Sequence, residues 1–180
     1  MLNIPNAFLP LTHLPLLDMS YVDEAKTINY IKPEIEKRDG YMVTQNYYSG
    51  SCSFNQSTFM KKLNQRFGAT TADYLKFTPC SYYHWHADIL RNCAINVLIE
   101  EVPDSVTIFK EQITRLSFNT MVCDYVPRQF VIFNTSVPHC VINSNKTKTR
   151  HILTITLPKA VKFEELKDYF ATTSDFDDGI

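Results

Sequence analysis

From Ala72 onward the chain reads as a succession of short strands, and that succession limits the fold more than any other feature. Tyr74–Phe77, Ser81–His86, Ala94–Ile99, Val106–Lys110, Thr114–Phe118, Gln129–Phe133, Cys140–Ile142 and His151–Leu157 are short runs rich in β-branched and aromatic residues. Pro79, Val102-Pro103-Asp104, Pro127, Pro138 and Ser144-Asn145-Lys146 punctuate them, and such residues end strands and open turns. About eight strands at this spacing predict a sandwich or barrel of the jelly-roll kind.

The residues before Ala72 follow a different period. Tyr21–Lys37 carries Ile28, Ile31 and Ile35 at helical spacing, with Asp23 and Glu24 near its start. An amphipathic helix is expected there, kinked or restarted by Pro33 and closed by Gly40. Thr58–Phe67 predicts a second helix, with Ser57 as N-cap and Gly68 as stop. Glu164–Phe170 predicts a closing helix, and the acidic end Asp175–Asp178 a frayed tail. The expected organisation is one domain over residues 1–180. Residues 1–71 would form an N-terminal helical or lid layer, 72–158 the barrel core, and 159–180 the C-terminal helix and tail. The fold class is mainly β with flanking α, the N-terminal helices packed outside the barrel.

Composition narrows the function. With 44% hydrophobic and 13% aromatic residues in 180, the chain can bury a real core. Its net charge is −1 and its Lys and Arg residues are scattered. No basic stripe is present, so strong nucleic-acid binding is not expected; this does not exclude a single nucleotide as substrate. Cys52, Cys80, Cys93, Cys123 and Cys140 are odd in number and contain no Cys-x-x-Cys pair. That usage fits reduced thiols and a cytoplasmic protein. Met1–Leu17 is apolar but lacks a basic residue and is interrupted by Pro5, Pro10 and Pro15, so neither a signal peptide nor a membrane helix is expected.

Within this frame the chemistry concentrates in His86-Ala87-Asp88, His139 and Arg150. Side chains alternate along a strand, so His84, His86 and Asp88 share one face if the strand runs that far. His139 opens a later strand, which a barrel can return to the same mouth. Two imidazoles and a carboxylate occupy half of an octahedral ion and leave three positions open. Zinc accepts the same donors, and the pair His84/His86 could bind metal without Asp88. His84 is read instead as a neighbour of the site or a pocket wall. Arg150 ends the turn Lys146-Thr147-Lys148-Thr149 and begins the apolar run Ile152-Leu153-Thr154-Ile155. A strand would pull it into the barrel, where a guanidinium recognises a carboxylate through two parallel bonds. Hydrolysis at zinc gives no reason for it. Asn96 is polar within an apolar strand, so it either braces the barrel or faces a ligand.

The stretches Tyr83–Asn96 and Phe133–Asn143, with Arg150, resemble the two metal motifs of the Fe(II)/2-oxoglutarate-dependent dioxygenase superfamily. The motifs are closest to those of its aspartyl/asparaginyl β-hydroxylase-like and prolyl-hydroxylase-like branch. The resemblance covers roughly residues 74–158. It implies a double-stranded β-helix of cupin-like type, with Fe(II) held by His86, Asp88 and His139. It also implies 2-oxoglutarate anchored by Arg150, dioxygen as co-substrate, and ascorbate as a further expected stimulant. Tyr82, expected on the face of His86, and Asn96 are candidate 2-oxoglutarate contacts. Many relatives carry Arg-x-Ser; here Ile152 stands at that position, and Thr154 is the candidate hydroxyl. Asp88 disfavours halogenation, which needs the carboxylate position vacant.

The expected substrate is an amino-acid side chain in a peptide or protein. A free small metabolite or nucleobase is the enzyme alternative, and a cupin-like sensor of metal or ligand the non-enzyme one. Arg91 and His84 are candidate substrate contacts. Tyr41, Tyr47, Tyr48 and Phe54, near an expected turn at Ser49-Gly50-Ser51, form a candidate lid or a layer packed on the barrel.

Overall fold

Two antiparallel sheets face each other, and His86, His139 and Arg150 point into the space between them. The computed structural model describes residues 7–32, 36–38, 41–43, 47–115, 117–173 and 176. In chain order the elements are β1 (Phe8–Pro10), α1 (Met19–Thr27), β2 (Glu36–Arg38), β3 (Tyr41–Val43) and β4 (Tyr48–Ser51). A 3-10 turn (Ser53–Gln56) and α2 (Thr58–Phe67) follow, then β5 (Thr71–Phe77), β6 (Ser81–His86), β7 (Cys93–Leu98) and β8 (Ser105–Gln112). β9 (Phe118–Val122), β10 (Phe130–Asn134), β11 (His139–Asn143), β12 (Arg150–Thr156) and α3 (Phe163–Thr172) complete them.

The larger sheet runs β1-β10-β7-β12-β5-β4 and the smaller β6-β11-β8-β9. From β5 to β12 the chain passes back and forth between the two, which is the winding of a jelly roll. β1 and β4 extend the larger sheet at its edges. This agrees with the eight strands read from the sequence, with one shift. Thr114–Phe118 is not a strand: the Ile113 and Thr114 N–H groups both donate to the Ser117 carbonyl at 3.0 and 3.1 Å. The hydroxyls of Thr114 and Ser117 meet at 2.6 Å. Local hydroxyl bonding makes a turn of residues whose branched shape suggested a strand, and pairing resumes at Phe118.

Alternation assigns each strand a face. On β7, Cys93, Ile95 and Val97 join a core cluster with Val22 and Ala25 of α1, Phe59 and Leu63 of α2, and Leu166 and Phe170 of α3. Leu153 and Ile155 of β12 join the same cluster. The three helices of the described residues therefore share one core with the outer face of the larger sheet. The opposite parity faces inward: Leu98 and Ile152 meet Phe77 and Val141. Burying each such side chain contributes about 1.5–3 kcal/mol.

α2 has the predicted bounds, and its caps explain them. Ser57 Oγ accepts the Met60 N–H at 3.1 Å, and Gly68 ends the helix in the left-handed region at φ 70°. The helix expected over Tyr21–Lys37 is shorter. It begins at Met19, capped by Asp18, and stops at Thr27. Ile28 turns extended, and Ile31 exchanges two backbone hydrogen bonds with Ser49 at 2.8 and 2.9 Å. Pairing with the sheet edge overrides the isoleucine period. The approach is close enough that a Cβ on Gly50 would lie 2.5 Å from Ile28 Cδ1. Beyond it, β2 and β3 pair as antiparallel strands where the end of the helix was expected. Pro33, Ile35 and Gly40 lie outside the described residues, as do Asp175, Asp177 and Asp178 of the expected tail. Phe176 does not fray: it is 1% exposed and its ring lies 4.5 Å from that of Phe59. No helix among the described residues is long and apolar enough to cross a membrane.

Candidate metal centre

His86 ends β6 and His139 begins β11, and the two residues are paired across these neighbouring strands. Their rings lie 4.2 Å apart, centroid to centroid. Asp88 follows in the loop, its Oδ1 3.7 Å from His86 Nε2. One ligand atom from each of His86, Asp88 and His139 lies within 4.8 Å of the other two, the only such group of three or more among the described residues.

Both imidazoles are oriented by the backbone. His86 Nδ1 lies 2.7 Å from the His84 carbonyl, and His139 Nδ1 lies 2.9 Å from that of Val137. A carbonyl only accepts, so each Nδ1 carries the proton and each Nε2 presents a lone pair. Burial, then the neighbouring His86, pull the His139 pKa down to about 4. His139 is therefore neutral at pH 7, the form that binds metal. Asp88 Oδ2 accepts from Arg91 Nε at 2.6 Å, which leaves Oδ1 turned toward His86.

The expectation that His84, His86 and Asp88 share a face by simple alternation is corrected by a bulge. Asn143, Ile142 and Val141 pair with Ser81, Tyr82 and Tyr83, but His139 pairs with His86. Three steps on β6 thus match two on β11, and the parity flips. Tyr83 and His86 point inward together, with rings 4.2 Å apart. Tyr82 and His84 sit on the other face, 4.9 Å apart, and His84 is exposed. Tyr82 is thus not on the His86 face, and His84 meets the centre through its carbonyl alone.

The interior beyond the centre is polar at one spot. Arg150 is 1% exposed, the largest side chain buried to that degree. Its Nη2 donates to Thr107 Oγ1 at 2.8 Å and its Nη1 to Ser105 Oγ at 3.2 Å, while Nε is buried with no partner. The guanidinium lies 5.5 Å from the Tyr125 ring centroid. No carboxylate lies within ion-pair distance of it among the described residues. Asn96 donates to the Tyr125 hydroxyl at 3.5 Å, and its own Oδ1 is buried and unpartnered. Thr154, 4% exposed, is paired across the sheet with Asn96. On the facing sheet Thr107 pairs with Val141, two residues along β11 from His139. That separation is about 7 Å at the usual rise per residue.

Arg91, expected as a partner for an anionic substrate group, is placed against Asp88, and its Nη1 reaches the Thr154 and Thr156 hydroxyls at 3.4 Å each. Of the candidate lid, Phe54 is buried among the helices, and Ser49-Gly50-Ser51 lies within β4 rather than in a turn. Tyr47 packs against Tyr83 and Phe77 at 5.2 and 6.1 Å, inside the barrel end. The Tyr41 side chain lies outside the described residues. Sequence reasoning missed Tyr83, Tyr125, Ser105 and Thr107. Thr107 was findable, because an inward hydroxyl between Val106 and Ile108 is the same signal that singled out Asn96. A surface cavity of about 600 Å³ lies outside the barrel, lined by Glu100, Glu101, Arg128 and His151 among others. His151 points away from Arg150, so this cavity is separate from the centre.

No protein-family model matches the chain, and no curated protein matches it. Solved structures do. A prolyl hydroxylase from Trichoplax adhaerens, in complex with a peptide fragment of the hypoxia inducible factor oxygen degradation domain, aligns with a TM-score of 0.60 at 11% identity. The alignment covers 94% of this chain and 89% of that one. An oxidoreductase of the 2OG-Fe(II) oxygenase family from Burkholderia pseudomallei aligns at 0.58 and 10% identity, over 86% of each chain. HygX from Streptomyces hygroscopicus, with nickel, 2-oxoglutarate and hygromycin B bound, aligns at 0.51 and 8% identity, over 83% of this chain and 81% of its own. The likeness is one of fold: this chain has the double-stranded β-helix of the 2-oxoglutarate-dependent Fe(II) oxygenases.

Proposed function

We propose that the protein is an Fe(II)- and 2-oxoglutarate-dependent oxygenase that hydroxylates a C–H bond. His86, Asp88 and His139 would hold the iron and Arg150 the far carboxylate of 2-oxoglutarate. The observation that carries this reading is Arg150. A buried guanidinium needs an anion, yet its hydrogen-bond partners among the described residues are two hydroxyls, and Nε has none. The site lies about two strand residues from the metal cluster, which suits a five-carbon dicarboxylate reaching from one to the other. The unpartnered Asn96 Oδ1 and the Thr154 hydroxyl lie on the same inward face of the larger sheet. A zinc hydrolase would have no use for this second polar end.

With both cofactors bound, such a site couples the oxidation of 2-oxoglutarate by dioxygen, to succinate and carbon dioxide, with the insertion of one oxygen atom into the substrate. The chain's own work is binding and exclusion. Three neutral or anionic donors face one point, Arg150 fixes the direction of the 2-oxo acid, and the walls of Phe77, Tyr83 and Val141 keep water out.

The substrate we propose is an amino-acid side chain within a peptide or protein. The Trichoplax adhaerens hydroxylase of the same fold binds a peptide. Beside the centre, Ile89 and Leu90 are 57% and 76% exposed, an apolar rim suited to a polypeptide. Hydroxylation of a panel of peptides, against a panel of free amino acids, separates this from a small-metabolite substrate. The cofactor reading is tested by calorimetric titration of 2-oxoglutarate into metallated, oxygen-free wild type and Arg150→Leu. Loss of a charged hydrogen-bond pair costs about 2–5 kcal/mol, so affinity should fall at least tenfold while metal affinity holds. Equal affinities would remove Arg150 from the role; no binding to either protein would favour a sensor or hydrolase.

A further inference from the structure

Two separate loops bring the three ligand side chains together, and one residue joins those loops. Asp88 lies in the link from β6 to β7, and His139 follows the link from β10 to β11. Thr135, 1% exposed, belongs to the second link. Its carbonyl accepts the Asp88 N–H at 2.8 Å, and its own N–H donates to the Asn92 carbonyl at 3.1 Å. Its hydroxyl donates to the Arg91 carbonyl at 2.9 Å. Every polar group of Thr135 thus crosses from the His139 loop to the Asp88 loop.

The connection continues on both sides. Two residues on, the Val137 carbonyl holds His139 Nδ1 at 2.9 Å. Arg91, whose backbone Thr135 holds, grips Asp88 Oδ2 at 2.6 Å and reaches the floor of the barrel at Thr154 and Thr156. The loop has little else to anchor it. Ile89 and Leu90 are exposed, and among the described residues the Asn92 side chain bonds only to the Lys159 carbonyl, at 2.6 Å. A carboxylate on such a loop would wander without the Arg91 grip.

We propose that Thr135 is a positioning residue for the metal site. Its hydroxyl fixes the Arg91 backbone and, through the Arg91 guanidinium, the Asp88 carboxylate at the separation from His139 that one ion requires. The inference rests on the metal reading above. Outer partners of metal ligands typically govern about 10–100-fold in affinity.

The test is an anaerobic Co(II) titration of the full chain without 2-oxoglutarate, followed by visible absorption, with melting of the EDTA-treated protein beside it. Thr135→Val keeps the shape and both backbone bonds and removes only the hydroxyl. It should weaken Co(II) binding about tenfold, alter the absorption band, and leave the metal-free melting close to wild type. Thr135→Ser should restore both affinity and band. Arg91→Lys keeps the charge but cannot hold Asp88 and the barrel floor together. It should weaken Co(II) by a similar factor, less than additively with Thr135→Val, since both act on one carboxylate. Should Thr135→Val fail to fold, Arg91→Lys carries the test. Wild-type affinity in both variants, with His139→Ala defective, would overturn the proposal and leave the metal reading standing. A loss in Thr135→Val matched by an equal fall in metal-free stability would also overturn it. A wild type that takes up no Co(II) would end both readings.

Discussion

The two sheets share an interior but differ in what lies behind them. The larger sheet is backed by three helices: Phe130, Leu153 and Ile155 on its outer face are all 0% exposed. The outer face of the smaller sheet is bare, with Phe118 54%, Val122 52% and Trp85 36% exposed. The chemistry divides along the same line. Arg150, Asn96 and Thr154 stand on the backed sheet, while His86 and His139 stand on the bare one. The fold energy comes mainly from one wall, and that wall carries the proposed carboxylate anchor. The other wall carries the two histidines of the proposed metal site, and its strand β6 tolerates the bulge that aims His86. A defect in pairing costs less where fewer side chains are packed behind it.

The largest effect should come from the backed wall. Phe130 lies 4.9 Å from the Phe59 ring and 6.1 Å from that of Phe54. Phe130→Ala should destabilise the protein by about 3–5 kcal/mol, read as a fall in the urea midpoint. A loss below about 0.5 kcal/mol, the scale of an ordinary surface substitution, would break the comparison. Metal should act on the other wall. Mn(II) at a hundred times its dissociation constant should add about 2.7 kcal/mol of stability. The added hydrogen-exchange protection should concentrate in β6 and β11, which carry the two histidines. Protection spread evenly over both sheets would mean that the bare wall is not the less stable one.

The backed wall was also the more legible in the sequence. Its inward and outward residues follow strict alternation, so the period puts Arg150 and Thr154 on one face, while Asn96 stood out only as a polar residue in an apolar strand. The bare wall broke the rule at one residue. Nothing in Ser81–His86 announces the bulge, because it arises from pairing with β11 rather than from local composition. The exchange of Tyr82 for Tyr83 on the His86 face follows from that. Caps were legible at α2, where Ser57 and Gly68 act locally. The end of α1 was not, since it depends on pairing between Ile31 and Ser49, eighteen residues apart in the chain. Tyr125 and Thr135 were invisible for a related reason: they sit in loops, where no period marks the inward direction.

A third effect, of intermediate size, tests the backed wall by pH. His151 lies on the outer face of β12, its ring 5.7 Å from that of Tyr30. Burial, then Lys76, pull its pKa down to about 4, with Lys26 acting the same way and Glu100 opposing. An imidazole in the unfolded chain titrates near 6.5, so on acidification the unfolded state takes up the proton first. The stability held by neutral His151 is fully present above about pH 6.5 and is lost as pH falls toward 4. With allowance for solvent screening of a partly exposed ring, the loss should be on the order of 1–2 kcal/mol. His139 titrates in the same direction. His151→Gln should therefore flatten, but not abolish, the pH dependence of metal-free stability between pH 6.5 and 4. An unchanged slope would show that water reaches His151 in the folded state and that the helical cover is looser than its packing suggests.

The smallest effect should come from Phe118 on the bare wall. Its ring is 54% exposed, and its contact with Lys110 is a cation–π approach of 5.4 Å that Lys110 shares with Trp85 at 5.1 Å. Replacing Phe118 with Ser removes one half of that sandwich, worth about 0.5–1 kcal/mol where water has access. The exposed part of the ring is in water in both the folded and the unfolded state, so its removal changes stability little. The urea midpoint should therefore move by less than a quarter of the Phe130→Ala shift, and Co(II) affinity should not move, because Phe118 and Lys110 point away from His139. A shift as large as that of Phe130→Ala would require Phe118 to be covered in solution. The two walls would then be alike, and the division between a backed anchor sheet and a bare metal sheet would fail.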